Sequence, residues 1–318
     1  MKRIIMMMAF VGAMSVQSSL ACTNFIVGKK ASADGSVFVT YNADSYGAFM
    51  PLYHYPAAKH QPGEMRKVYE WDTNKYLGEI AEAPETYNVI GNSNEWQVTI
   101  GETTFGGRHE MADSTGIIDY GSLIYITLQR AKTAREALKI MTSLVEQYGY
   151  YSEGETFSVA DKDEAWMLEM MGCGPDRTKS PERTVWVAIR IPDNAIAAHA
   201  NQSRITKFLD GRYVRVKMKD LMKKYPVNGK KPVPNLMLCS DNIIRYARRW
   251  AGMMVRMPTS VTMLHTQNPT SQDVVTARLV YGVSSIVSAM TSQSMCLTLR
   301  VLRRVQNPCL CGLSLTRP

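Results

Sequence analysis

The sequence predicts an α+β protein in which helices and β-sheet pack as layers of one domain. β-rich runs occur between residues 23 and 100, two helical runs lie between residues 120 and 145, and β-rich runs return between residues 157 and 200. No internal repeat interrupts this order, and 318 residues can bury a large core. Because strand and helix blocks alternate along the chain, the pattern argues against a helical bundle.

The first 21 residues have the three parts of a secretory signal peptide. Two basic residues open the chain, an apolar run from Ile4 to about Val16 follows, and Ser19 and Ala21 give the small-residue pattern that signal peptidase recognises before Cys22. The apolar run is shorter than the roughly 20 residues of a membrane-spanning helix. We therefore predict that residues 1–21 are removed and that the mature chain is periplasmic or extracellular.

A lipoprotein signal is the alternative interpretation of this segment. Cys22 would then be acylated, the protein would be attached to a membrane, and the cysteine could not act as a nucleophile. Lipoprotein signals normally have Leu three residues before the cysteine, where this chain has Ser19. The pattern favours ordinary cleavage, so membrane attachment is expected only if Cys22 is lipidated.

A β-hairpin is predicted directly after the cleavage site. Phe25–Val27 and Ser36–Tyr41 are β-rich and flank an Ala-Asp-Gly turn. The hairpin places Cys22 at the start of its first strand, and it returns Asn42 and Asp44 to the same end. A second pair is predicted from residues 88–90 and 96–100, followed by a glycine-rich segment at residues 101–108.

The helical runs and the last strands complete the predicted order. Apolar residues at helical spacing predict helices over residues 120–130 and from Thr133 to about residue 145, and Thr133 with Glu136 fits a capping box. Residues 157–160 and 165–170 are predicted to pair as strands. Residues 185–191 and 195–200 are predicted to form a further pair, with Asn201 directly after it.

Cys22 is the candidate nucleophile. A cysteine at a mature N-terminus can use its own α-amino group, with a reference pKa near 8, as the general base for its thiol. Asn94 and Asn201 lie in turn-like segments and are candidate oxyanion donors, and Asp44 could orient the amine. No histidine pair has the spacing of a metal site, so we expect neither a metal nor another cofactor.

The composition does not support nucleic-acid binding. The formal net charge is +9, but residues 250–318 contribute six Arg against one acidic residue. Residues 1–249 hold 31 Lys and Arg against 27 Asp and Glu, a net charge of +4. No basic stripe interleaved with aromatic residues is left, so nucleic acid is not an expected partner.

These residues also carry a resemblance to a known family. The run CTNFIVGKKASADGSVFVTYNADS from Cys22, IGNSNEWQVTIGETTFGGR from Ile90, GETFSVADKDEAWMLEM from Gly154 and AHANQSRIT from Ala198 resemble the dipeptidase A (PepD) family. This is a family of cysteine dipeptidases in the N-terminal-nucleophile (Ntn) hydrolase superfamily. The likeness extends from Cys22 to about Arg248.

The resemblance implies a four-layer αββα sandwich and hydrolysis of dipeptides without a required metal. Cys22 matches the nucleophile of the family, and Asp44 matches a residue that bonds near it. Asn94 and Asn201 match positions that help form the oxyanion and substrate site, and Asn42 matches a substrate-binding position. An acylase of penicillin V or bile-salt type, or a non-catalytic peptide-binding lipoprotein, is the alternative. The sequence carries no signal for an oligomeric state.

Two features depart from the family pattern. Many relatives have Arg before the matched Asn42, where this chain has Tyr41. Acidic residues almost vanish after Arg249. With permitted third bases chosen, the segment from Trp250 and the residues from Arg304 onward can each be read in a shifted frame as sequence typical of an exported enzyme of this family. We therefore predict a partial Ntn domain over residues 22–249, incomplete at its C-terminus, and an out-of-frame tail over residues 250–318 without regular packing.

Overall fold

The computed structural model describes residues 22–43, 52–178, 180–205, 208, 211–227, 229 and 232–251, with the side chains of residues 248–251 left out. Residues 1–21, Asp44 and the tail from residue 252 lie outside this range. The predicted signal peptide, the predicted role of Asp44 and the predicted packing of the tail therefore concern residues that the structure does not describe.

Strands and helices alternate in the described chain much as the sequence predicts. The strands are β1 (Thr23–Val27), β2 (Phe38–Asn42), β3 (His54–Tyr55), β4 (Ala58–Lys59), β5 (Met65–Tyr69), β6 (Tyr76–Ala81), β7 (Glu85–Thr86), β8 (Val89–Ile90), β9 (Ser93–Asn94), β10 (Thr99–Gly106), β11 (Gly154–Ala160), β12 (Ala165–Gly172), β13 (Thr184–Arg190), β14 (Ile196–His199), β15 (Val214–Arg215) and β16 (Leu236–Cys239). The helices are α1 (Tyr120–Leu128), α2 (Ala134–Tyr148), α3 (Met218–Lys224) and α4 (Ile243–Ala251), with a 3₁₀ turn at His109–Met111.

Two sheets organise the fold. The large sheet has the order β15-β16-β13-β12-β11-β10-β9-β8-β3, and the small sheet has the order β14-β1-β2. The hairpins β4-β7 and β5-β6 lie apart from both sheets. The predicted α+β class is therefore confirmed. Within the described residues, no helix combines the length and apolarity that crossing a bilayer requires.

The two faces of the large sheet pack against different partners. Leu168 and Ala188 belong to a core shared with helices α1 and α2. Their neighbours Met167 and Val187 belong to a second core that includes Ile26 of the small sheet. Because successive strand residues point to opposite faces, the described chain forms helix, sheet and sheet layers in that order. Burying each such side chain contributes about 1.5–3 kcal/mol to stability.

The predicted hairpin and the start of α2 are confirmed. β1 and β2 pair antiparallel, with Phe25 opposite Thr40. The Thr133 side chain accepts a hydrogen bond from the Glu136 main-chain N at 3.2 Å. In a capping box the Glu136 carboxylate would accept from the main-chain N of Thr133. Here it accepts from the main-chain N of the preceding residue, Lys132, at 2.8 Å.

Two predicted strand pairs are wrong. Residues 88–90 do not pair with residues 96–100: β8 pairs with β9, and only Thr99 and Ile100 of the predicted strand belong to a strand, β10, which continues through most of the glycine-rich segment. The prediction failed because Glu102 and Thr103 are polar and yet buried. β14 does not pair with β13 either, since the chain crosses to the small sheet and β14 pairs with β1. The Gly28 N donates to the Ala195 O at 3.0 Å, which fixes this crossing.

Candidate active site

Cys22 stands at the start of β1, where the small sheet meets β10 of the large sheet. Its main-chain N donates to the Asn201 side-chain oxygen at 2.5 Å. The Asn201 Nδ2 donates in turn to the main-chain oxygen of Thr104 at 2.7 Å. One side-chain amide therefore joins the start of the candidate nucleophile's strand to the facing sheet.

The backbone of Asn201 explains why an asparagine suits this position. Its φ angle is +33°, in the positive region that most side chains avoid. Asn is among the few residues other than Gly that are enriched there. The residue directly follows β14, which is hydrogen-bonded to β1, so the turn presents its amide to Cys22.

The outer edge of β10 faces the same place. The Ile100 N donates to the Asn92 O at 3.0 Å, and the Thr104 O accepts from Asn201, so alternate residues of β10 point their main-chain groups away from β11. β9 pairs with β10 only at Thr99. Past that residue the edge lies next to β1 and β2 of the small sheet.

The structure does not bring Asn94 to Cys22. Asn94 lies next to Thr99, at the beginning of β10. The Cys22 site adjoins Thr104, which is five residues or roughly 17 Å farther along the same strand. The Asn94 Nδ2 donates to the main-chain oxygens of Leu128 and Ala131 at 2.6 and 2.7 Å. Its Oδ1 accepts from two main-chain N–H groups of its own turn. The predicted catalytic role of Asn94 stays a prediction. In the structure its amide is hydrogen-bonded to the main chain at the end of α1.

The two asparagines should therefore differ in their effect on stability. We expect Asn94→Ala to lower the free energy of unfolding by about 2–4 kcal/mol, since four hydrogen bonds at a buried site are lost. We expect Asn201→Ala, with two bonds, to lower it by about 1 kcal/mol. Urea unfolding of the two variants measures the difference. Equal midpoints would show that Asn94 does not hold the fold in this way.

Asn42 and Asp44 complete the predicted site residues. Asn42 ends β2 opposite Thr23, which places it beside Cys22 across the hairpin. Its side chain is exposed, as a substrate-binding position requires. Asp44 lies outside the described residues, so its role stays a prediction.

A buried polar network that sequence analysis did not identify lies between the sheets. His199 is fully buried, with its Nδ1 2.7 Å from the Thr103 Oγ1 and its Nε2 2.7 Å from the Ser158 Oγ. Burial, together with the positive charge of Arg204, lowers the pKa of His199 to about 3. A neutral histidine with both nitrogens bonded holds the sheets together and does not supply a catalytic base.

Two buried glutamates lie next to the outer edge of β10, and they were also missed. The Tyr41 hydroxyl donates to the Glu102 Oε1 at 2.7 Å, and the Thr104 hydroxyl donates to the Glu155 Oε1 at 2.7 Å. Burial raises the pKa of both carboxyls. Burial also raises the pKa of Tyr41, and the charges of Glu102 and Cys22 raise it further. Tyr41, which departs from the family pattern, therefore contacts an acid beside the candidate nucleophile.

No metal centre accompanies these groups in the part of the chain that the structure describes. There, no cluster of three or more His, Cys, Asp or Glu side chains could hold a metal ion. The groups that lie at this edge are the Cys22 thiol, the Asn201 amide and the two buried carboxyls.

Comparison with known proteins places the chain among peptidases. Peptidase family C69 matches residues 21–53 and 50–212. A "Probable dipeptidase" of Salmonella dublin is 31% identical over 208 residues, which cover 59% of this chain and 45% of the relative. "Dipeptidase A" of Lactobacillus helveticus is 29% identical over 235 residues, which cover 65% of this chain and 46% of the relative.

The chain belongs to peptidase family C69, and the predicted relationship to the dipeptidase A family is confirmed. A further relative, "Probable dipeptidase A" of Streptococcus pyogenes serotype M3, is 27% identical over 211 residues, or 59% of this chain and 42% of the relative. The chain spans less than half the length of these relatives.

Proposed function

We propose that this protein hydrolyses dipeptides, with Cys22 as an N-terminal nucleophile. Membership of peptidase family C69 and the dipeptidase names of its relatives support the reaction class. The observation that carries the proposal is the hydrogen bond from the Cys22 N to the Asn201 Oδ1. After cleavage of residues 1–21 this nitrogen is the α-amine, and an α-amine next to a thiol can act as its base.

Asn201 gives the amine a fixed orientation. Its Nδ2 is held by the main-chain oxygen of Thr104, so its Oδ1 cannot turn away from Cys22. The Asn201 Oδ1 accepts one N–H of the amine. The lone pair of the amine nitrogen is not used by this bond and can accept the proton of the Cys22 thiol. A reference pKa near 8 makes this amine partly neutral at neutral pH, so it can accept the thiol proton.

The reaction then follows the acyl-transfer sequence. The amine takes the thiol proton, and the sulfur attacks the peptide carbonyl carbon to form a tetrahedral oxyanion. Collapse of this species breaks the C–N bond, and the ammonium of Cys22 returns a proton to the leaving amine. Water then hydrolyses the thioester with the amine again as base, which regenerates the free thiol. Asn42 lies close enough to this site to contact the substrate.

We also propose the four-layer αββα architecture of Ntn hydrolases for the whole protein. The order of helices α1 and α2, large sheet and small sheet supports three of those layers. The fourth layer would cover the outer face of the small sheet. The same proposal includes a reading-frame shift after codon 249, whose correction gives a longer chain, called here the frame-restored enzyme. The nucleotide sequence around codon 249 tests it, and an intact frame there rules it out.

The intact mass of the exported protein tests the proposed maturation. We expect a chain that begins at Cys22 and carries no added group, because Ser19 and Ala21 suit signal peptidase. Added acyl mass on Cys22 would instead identify the peptide-binding lipoprotein. A mature chain that begins at another residue would contradict an N-terminal nucleophile. Turnover of penicillin V or conjugated bile salts in place of dipeptides would identify the related acylase.

A further inference from the structure

Glu102 and Glu155, called here the carboxyl pair, are buried side by side in the large sheet. Their side chains are 3% and 1% exposed. β10 and β11 are antiparallel, with Thr104 opposite Glu155, so Glu102 lies diagonally across from Glu155 on the same face. Neither Oε2 has a hydrogen-bond partner among the described residues. Two such buried oxygens can bond to each other only if one of the carboxyl groups carries a proton.

The surroundings of the carboxyl pair favour a shared proton. The Oε1 of Glu102 accepts from the Tyr41 hydroxyl, and the Oε1 of Glu155 accepts from the Thr104 hydroxyl. Within the part of the chain that the structure describes, neither glutamate forms an ion pair with Lys, Arg or His. Two full charges without a cation would be strongly destabilised in a buried site. A shared proton leaves a single negative charge.

Two arms lead from the carboxyl pair to the candidate nucleophile. The first arm is Tyr41, which donates to Glu102 and lies opposite Asn24 in the hairpin, two residues after Cys22. The second arm runs from Glu155 through the hydroxyl and then the main chain of Thr104 to the Asn201 amide that holds the Cys22 N. The pair is therefore linked to the nucleophile on both sides.

We propose that the carboxyl pair shares a single proton and positions the Cys22 nucleophile through these two arms. This inference rests on the proposed role of Cys22. Loss of the shared proton leaves two adjacent charges whose repulsion separates the carboxyls, and the separation displaces both arms. Glu102 and Glu155 are thus positioning residues that hold the site in order while the proton is present.

Several further titratable groups face the carboxyl pair from the elements packed around it. They are Tyr41 of β2, Asp72 after β5, Tyr120 at the start of α1, Tyr150 after α2 and Glu153 before β11. None of these groups carries a positive charge. Ionisation of any acid among them raises the energy of a second charge on the pair, so the surroundings favour the shared proton.

The pH dependence of stability tests the shared proton without any assay of turnover. Burial raises the pKa of both carboxyls above their ordinary value of 4.5. The folded chain therefore keeps a proton that the unfolded chain releases, and stability present below pH 4.5 is lost as the pH rises toward the raised pKa. Each pH unit in this window raises the unfolding equilibrium constant up to about tenfold.

Glu155→Gln and Glu102→Gln are the test variants, each measured in the full chain by urea unfolding across this window. An amide mimics the protonated carboxyl, so each variant should lose the pH dependence of the parent. Glu79→Gln removes an exposed carboxylate on β6 and should keep it. Parental pH dependence in both test variants would overturn the shared proton.

The alkylation rate of Cys22 by iodoacetamide tests the positioning role in a chain that begins at Cys22. The rate in Glu155→Gln relative to the parent should be near one while the pair holds its proton and should rise several-fold as the pH passes the raised pKa of the pair, since only the parent pair ionises twice. If Glu155 only supported the fold, the substitution would change the alkylation rate by the same factor at every pH. A ratio of rates that does not change with pH would therefore overturn the proposal. If Cys22 proves not to be the nucleophile, only the turnover of Cys22 variants is affected, and both of these readouts remain interpretable.

Discussion

Cys22→Ala should abolish dipeptide hydrolysis by the frame-restored enzyme, with turnover at least about 1,000-fold lower than in the parent. The thiol forms the covalent bond to the substrate, and removing it leaves no group to attack the carbonyl. Cys22→Ser should be almost as inactive, because a hydroxyl gives up its proton far less readily than a thiol. Release of free amino acids from a dipeptide measures the effect.

Cys239→Ala is the matched control for this substitution. Cys239 and Cys22 are both partly exposed cysteines, but Cys239 lies in β16, and burial raises its pKa. The third free cysteine of the described residues, Cys173, is buried, and burial raises its pKa to about 12. We expect full activity from Cys239→Ala. Turnover within tenfold of the parent in Cys22→Ala would refute the assignment.

Local signals predicted the parts of the fold that depend on neighbouring residues. The hairpin of β1 and β2 follows from two β-rich runs around a turn, and the start of α2 follows from Thr133 and Glu136. Both structures form between residues that are close in the sequence. The same hairpin placed Cys22 and Asn42 together, so this half of the candidate site was predictable.

The full extent of strand β10 was not predictable because the middle of the strand buries polar residues. Glu102 and Thr103, with the partly buried Thr104, resemble a surface loop in sequence, and their partners lie far along the chain. Thr103 is bonded to His199, 96 residues away, and Thr104 to Glu155, 51 residues away. A sequence pattern with a period of two or 3.6 does not contain such long-range pairings.

For the same reason, the sequence could not distinguish the positions of the two candidate amides, Asn94 and Asn201. Asn94 and Asn201 both follow turn-like segments, and a turn favours Asn for backbone reasons in either case. Only the three-dimensional arrangement shows that Asn201 reaches Cys22 while Asn94 bonds to the end of α1. The difference arises because β14 joins the small sheet and carries Asn201 to the start of β1.

The free α-amine of Cys22 has the second large expected effect. We expect a chain that begins at Ala21 to hydrolyse dipeptides about 100- to 10,000-fold more slowly than one that begins at Cys22. The extra residue converts the amine into an amide, which has no basic lone pair, and leaves the thiol unchanged. The hydrogen bond to Asn201 needs only an N–H and can persist in both chains.

The most direct test of an N-terminal nucleophile is therefore the turnover of these two chains, each made without the leader in the frame-restored enzyme. Thiol titration with a disulfide reagent confirms that Cys22 is equally available in both. We predict that only the chain that begins at Cys22 hydrolyses a dipeptide at the full rate. Equal turnover by the chain that begins at Ala21 would contradict the proposed mechanism.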